Sequence, residues 1–307
     1  KKIVHLVQQG RALEYFGVYE QAKTLFEEAI WLLRQETPTP HRLLGVVLND
    51  YGLVQNRLGL PEDALASLDE ALQHQQIFYR EANREIATTH NNLGLVYKTN
   101  KQTLKAKEHY LVAAKIYAQS TNISRETAVN LNNLGSVQAI LGEHDLAFYN
   151  FNAARSQLRQ LSDEAQPELA VTLYHLAALC VAKWPQADES PLALMRQANE
   201  IDDQAIDDVF RDSSETGRLR FLGTRFRHFH IFVSYILYLQ KNELPVDLRE
   251  AYRFVLRRKG LATEISAAKQ TAVWQQHHPE ANALLNQLSA LRQAIACKAI
   301  HPNVPAE

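Results

Sequence analysis

An all-α solenoid of stacked antiparallel helix pairs, closed by an irregular helical C-terminal cap, is the fold class this sequence predicts. Three observations lead there. A glycine is followed by an alanine twelve residues on and by another seven further, at Gly10/Ala22/Ala29, Gly52/Ala64/Ala71, Gly94/Ala106/Ala113 and Gly135/Ala147/Ala154. One bulky apolar residue stands between the two alanines each time: Phe26, Leu68, Tyr110 and Phe151. The successive glycines lie 42, 42 and 41 residues apart, and Ala177 continues the series 42 residues after Gly135. Self-similarity at a fixed period of this size marks a repeat array, in which each helix pair buries its apolar face against the next.

The elements follow in order from that period. Units are expected near residues 3–35, 45–77, 87–119 and 128–160, with the first helix of a fifth near 170–183. Gly17, Gly59 and Gly142 stand at the turns inside units one, two and four. In unit three the helices should run from about Ile86 to Thr99 and from about Thr103 to Tyr117, with Asn100, Gln102 and Thr103 at the turn. Unit four repeats the plan with Leu131, Leu134 and Val137, then Leu146, Phe151 and Leu158. Unit five keeps Leu173, Leu176 and Ala177, but Trp184, Pro185 and Pro191 interrupt it. Residues 184–214 therefore read as an irregular acidic completion with a helix from about Leu192 to Ile206.

Residues 215–307 read as a capping and connecting region. Its first helix, 215–240, carries Leu222, Phe226, Phe229, Val233 and Ile236 on one side and Ile231, Tyr235 and Tyr238 on another, predicting burial on most sides. A helix through Leu248, Ala251, Val255 and Leu256 should end near Gly260, and Ala281, Leu284, Leu288, Leu291 and Ile295 form a later seam.

These spacings resemble the tetratricopeptide repeat family. The family's ordinary period is about 34 residues, and a surplus of about eight equals roughly two helical turns. With the runs Thr89-His90-Asn91-Asn92-Leu93-Gly94 and Asn130-Leu131-Asn132-Asn133-Leu134-Gly135, the longer period is similar to the kinesin-light-chain type of repeat, over about residues 3–183. The resemblance implies a right-handed superhelix whose first helices line a concave groove. It implies that the position three before the small residue faces that groove: Val7, Asn49, Asn91, Asn132 and Tyr174. Further along the same face stand Arg11, Leu53, Leu95, Ser136 and Ala178, then Glu14, Asn56, Lys98, Ala139 and Val181.

An asparagine column suits peptide capture, because each amide offers donors and an acceptor that pair with an extended backbone without reading its sequence. Asp50, Asn92 and Asn133 stand beside the column, and Leu53 and Leu95 offer apolar contact. The alternative is that these asparagines bond locally and hold the stack together. Relatives that clamp a terminal carboxylate use Lys or Arg at such positions. Only Arg11 and Lys98 qualify here, so that mode is not expected.

Composition removes other function classes. With 33 basic and 34 acidic residues the net charge is −1, which supplies no overall field for nucleic acid or an anionic membrane. The most membrane-like stretch, Phe229 to Leu239, is far short of the about 20 residues that span a bilayer, so no membrane association is expected. Cys180 and Cys297 are the only cysteines, pointing to buried fillers in a reducing, cytoplasmic compartment. The chain begins at Lys1 rather than Met, which suggests an excerpt or processed product. His228/His230 and His277/His278 lack metal-ligand spacing, and no phosphate loop or nucleophile-base pair stands out. No catalysis, metal or cofactor is expected.

Residues 186–215 carry nine acidic and two basic side chains, whereas residues 216–260 carry three and ten. Arg218, Arg220, Arg225 and Arg227 alternate with Phe221, Phe226 and Phe229, a pattern compatible with nucleic acid, but the acidic neighbour is the nearer partner. The run Tyr252-Arg253-Phe254-Val255-Leu256-Arg257-Arg258-Lys259-Gly260-Leu261, with Glu264 and the leucine seam, resembles the segment preceding the caspase-like CHAT peptidase domain of bacterial repeat proteins. It implies a sensing arm for a downstream peptidase whose catalytic His and Cys have no counterparts here. The expected function is protein or peptide binding. A self-assembly scaffold, or a nucleic-acid-responsive adaptor through residues 216–260, is the alternative.

Overall fold

Two helices that meet at glycine and alanine approach closely enough for one bulky side chain to fill the seam. The computed structural model describes residues 2–36, 42–79, 83–119, 123–161, 166–183, 190–212, 228, 230–243, 248–249, 252, 254–257 and 260. Contacts divide the chain into Lys1–Asn242 and Glu243–Glu307. The first body is an all-α repeat solenoid of antiparallel helix pairs followed by a helical region. Its pairs are α1 (Lys2–Tyr15) with α2 (Tyr19–Glu36), α3 (Arg42–Arg57) with α4 (Pro61–Phe78), and α5 (Arg84–Thr99) with α6 (Thr103–Tyr117). Then come α7 (Arg125–Ile140) with α8 (His144–Leu158), and α9 (Gln166–Lys183) with α10 (Pro191–Asp212). Residues 230–241 form a further helical stretch, α11.

The repeated small residues do what their spacing predicts. A Cβ added to Gly10, Gly52, Gly94 or Gly135 would lie 2.9, 2.8, 2.7 or 2.8 Å from the side chain of Phe26, Leu68, Tyr110 or Phe151 respectively. Those distances are shorter than any relaxed carbon contact, so the bulky residue lies directly across the glycine of its own pair. Both alanines of units one to four are fully buried. Asn83 and Ser124 cap α5 and α7 by accepting from the backbone N–H of Glu85 and Thr127 at 2.7 and 3.2 Å.

Pairs stack because each second helix also packs on the first helix of the next unit. Successive first helices, α1, α3, α5, α7 and α9, touch one another as well, and form one continuous inner layer. The second helix of unit five, expected from Leu192 to Ile206, runs from Pro191 to Asp212. Leu194, Met195, Ala198 and Ile206 are buried on it at three-four spacing, which replaces the alanine pattern of the earlier units.

One expectation is corrected in α11. Phe232, Ile236 and Leu239 are buried, but Leu237 is 57% and Tyr238 44% exposed, so the helix buries one face rather than most sides. His228, two residues before α11, rests on α9 and α10 through Tyr174 and Asp202. The rest of the 215–240 helix, with Arg218, Arg220, Arg225, Arg227, Phe221, Phe226 and Phe229, lies outside the described residues, as do Trp184, Pro185, Cys297 and the seam from Ala281 to Ile295. In the second body, residues 248–249, 252, 254–257 and 260 are helical, with Leu248, Tyr252 and Leu256 exposed. No described helix is long and apolar enough to cross a membrane.

Candidate ligand-binding groove

The inner helices carry the asparagine column, and the side chains form a ladder between units. Asn92 Nδ2 donates to Asn49 Oδ1 at 2.9 Å, and Asn133 Nδ2 donates to Asn91 Oδ1 at 3.1 Å. At the next step His175 Nδ1 bonds Asn132 Oδ1 at 3.0 Å, where the carbonyl can only accept. In each case the residue following the column position of one unit reaches back to the column position of the unit before. Asn130 Nδ2 adds a second donor to Asn91 Oδ1 at 3.3 Å, and the Thr89 hydroxyl lies 3.1 Å from Asn49 Oδ1 and 2.9 Å from Gln75 Oε1.

Asn49, Asn91 and Asn132 are 7%, 9% and 7% exposed, so these bonds are shielded from water and set the register of neighbouring units. Their carbonyls are engaged within the protein, which narrows the chemistry they can offer a ligand to the amide nitrogens. Asn49 and Asn91 each direct one Nδ2 donor to the adjacent Asp50 or Asn92 at 3.4 Å, a long contact, and an amide nitrogen carries a second proton. Asn92 and Asn133 act as the donors of the ladder.

The other sequence-predicted positions share the inner layer. Leu53, Leu95, Asn56 and Lys98 are half-buried. Asn56 Oδ1 accepts from Thr99 at 2.9 Å, and Lys98 Nζ donates to Ser136 at 2.7 Å, so these positions also tie one unit to the next. Asp50 pairs with Arg11 at 2.6 Å. Burial raises the Asp50 carboxyl above its ordinary range, with Arg11 opposing. Glu14 is pushed up to about 7, first by burial and then by the charge of Asp50.

Tyr174 stands apart. It is 1% exposed, its hydroxyl bonds Asn199, and its ring stacks on His228 at 4.2 Å, while His228 Nδ1 lies 2.7 Å from Asp202. The column position of unit five therefore faces His228, which precedes α11, just as the earlier asparagines face the next unit. The periodicity of a single chain flagged the column but not its partners, since nothing in the spacing tells that Oδ1 of one unit meets the amide of the next. Among the described residues, no group of three or more His, Cys, Asp or Glu could hold a metal ion, and Cys180 is buried.

The fold and the ladder define a helix-pair repeat scaffold. Residues 43–119, covering most of the second and third pairs, match the family described as Tetratricopeptide repeat. No curated protein matches the chain. Among solved structures, the kinesin light chain TPR-like repeats of Podosopora anserina share 15% identity at a TM-score of 0.52, over 66% of this chain and 96% of that one. BtubC (BKLC) of P. vanneervenii shares 21% at 0.53, over 64% and 78%. The Rap conjugation gene regulator of plasmid pLS20, solved in complex with the Phr* peptide, shares 15% at 0.57, over 87% and 75%. At such identities the likeness is one of fold.

Proposed function

We propose that the chain binds an extended protein or peptide segment along its inner helices, with Asn49, Asn91 and Asn132 donating Nδ2–H to the segment's backbone carbonyls. The observation that carries this reading is the ladder. It takes up each carbonyl and fixes each side chain's rotamer, so the amides are held in a pre-organised row before any ligand arrives. Leu53 and Leu95 supply apolar contact beside them, and Asp50, Asn56 and Lys98 supply polar contact. The pLS20 regulator, of the same fold, is solved with a peptide, which supports a peptide as the ligand class. We assign the chain as the sensing arm of a larger bacterial protein with a CHAT peptidase, on the likeness of Tyr252 to Leu261 alone.

The test follows from which atom does the binding. Replacing Asn91 and Asn132 by Ala would strip the ladder of its acceptors and weaken the stack, confusing affinity with stability. Asn91→Asp with Asn132→Asp keeps an acceptor oxygen for Asn133, Asn130 and His175 and replaces each amide donor by a second oxygen, at the cost of burying a carboxyl. Peptides retained by the parent chain from a random library should lose at least tenfold in affinity to this variant, measured by fluorescence anisotropy, with helix content retained. Undiminished binding would refute the role of the column.

A further inference from the structure

The asparagine column can offer a ligand donors only. Asn49, Asn91 and Asn132 each have Oδ1 engaged by the following unit, which leaves Nδ2–H as the group that faces outward. Asn132 Nδ2 makes no hydrogen bond among the described residues and is not shut off from solvent. A ligand backbone set against this row needs carbonyls, while its own N–H groups find no acceptor in the column and lose water without replacement. Proline keeps the carbonyl and has no N–H, so it escapes that cost. The interval of the row is a second constraint. Successive inner helices approach to within 8 Å between Cα atoms, and packed helices lie about 8–10 Å apart, so the amides recur at about that spacing. In a β-strand the carbonyls on one side recur at every second residue, about 6.4–6.8 Å apart, and fall out of step after one unit. In a polyproline II helix every third carbonyl points the same way, and three residues of about 3.1 Å advance about 9.3 Å, which keeps step with the row.

From the donor-only row and its interval we infer that the ligand is a proline-rich segment in the polyproline II conformation, whose carbonyls at positions i, i+3 and i+6 accept from Asn49, Asn91 and Asn132 in turn. This rests on the groove reading proposed above and narrows its ligand class. Leu53 and Leu95, half-buried and next in sequence to Gly52 and Gly94, present apolar surface to the pyrrolidine rings. The row stops at both ends: unit one has Val7 in the column, and unit five has Tyr174, buried against His228. A segment of about seven residues therefore spans it. Such a helix is formed before it binds and has no internal hydrogen bonds, so its carbonyls are free to accept and little ordering opposes capture.

Fluorescein-labelled decaproline and the flexible peptide (Gly-Ser)5, each titrated with the full chain and read by anisotropy, test the ligand class. Decaproline should bind at least tenfold more tightly. Asn91→Asp with Asn132→Asp should weaken decaproline at least tenfold with helix content retained. Leu95→Ser lies outside the ladder and leaves its hydrogen bonds in place; it should weaken decaproline about fivefold, and it carries the test where the double variant fails to fold. Equal affinity for the two peptides, or no binding of decaproline by a chain that still retains peptides from the random library, would overturn the polyproline II assignment and leave the groove reading standing. A chain that retains no library peptide, or one whose decaproline binding is indifferent to both the asparagine variant and Leu95→Ser, would overturn the groove reading and this assignment with it.

Discussion

Tyr110 and His90 depart from what the other units place at matching positions, and each departure has a physical cost. Tyr110 occupies the slot held by Phe26 and Phe151, is fully buried against Gly94, and its hydroxyl has no hydrogen-bond partner. Burial alone raises its pKa. An unmet buried hydroxyl costs about 1–3 kcal/mol, so Tyr110→Phe should stabilise the chain by about 1 kcal/mol in urea unfolding; a loss of stability would reveal a partner for the hydroxyl. His90 stands where the other units carry Leu6, Leu48, Leu131 and Leu173. Its Nδ1 lies 3.0 Å from Nδ1 of His109, whose ring stacks on Tyr97, with Lys105 over the far ring. Burial and then His109 hold His90 down to about 4, and burial lowers His109 against the pull of Asp69 and Glu108. Between the ordinary histidine value and about 4 the unfolded chain takes up protons that the folded chain refuses. Stability therefore falls as pH drops through that window. His90→Leu with His109→Ser, the residues found in unit two, should flatten the loss between pH 6.5 and 4; an unchanged slope would place the titrating groups elsewhere.

Within each pair the element that varies is the turn. Gly17, Gly59 and Gly142 hold positive φ of 73°, 77° and 80°, and Lys101 does the same in unit three at 60°. The bonding is shared as well: Leu60 N–H reaches Gln55, Gln102 N–H reaches Tyr97 and Glu143 N–H reaches Gln138, at 3.0, 2.8 and 2.9 Å. The motif closes a helix and requires the left-handed region, which costs a residue with a Cβ about 1–2 kcal/mol. Lys101→Gly should therefore raise stability by about 1 kcal/mol in thermal or urea unfolding, and no gain would mean that the Lys101 side chain repays its strain. This contrast also shows what was legible in the sequence. Gly94 against Tyr110, and every glycine-alanine seam like it, involves residues of one pair, so four copies of one spacing were enough to foresee it. The Asn92 to Asn49 bond joins different units, and periodicity says only that both positions recur. Tyr174 was the hardest case. Its partner His228 belongs to a helix outside the period, so a residue expected on an open groove is buried beneath it.

Along the stack, the main contacts among the described helices α1–α10 join neighbouring units. Ion pairs recur between units, Arg34 with Glu70, Arg84 with Glu126, Lys107 with Glu143 and Arg125 with Glu168, but the arginine members are more than half exposed and such pairs contribute little. The buried seams dominate. In an array of this kind stability is close to a sum of unit and nearest-neighbour terms, so position in the stack decides how far damage spreads. Gly94→Leu drives a side chain into Tyr110 at the centre, and Gly10→Leu does the same into Phe26 at the first unit. Both overpack a pair by about 1–3 kcal/mol or more. Hydrogen exchange should nonetheless separate them. Gly10→Leu should lose protection in α1 and α2 alone, with the remaining units unfolding together. Gly94→Leu removes the unit that joins its neighbours on both sides, so protection should fall in α5 and α6 and the chain should unfold in two steps, one for α1–α4 and one for α7–α10. A single cooperative transition for Gly94→Leu would mean that the array is coupled over distances longer than one unit, and the asparagine ladder would then be the structure to break next.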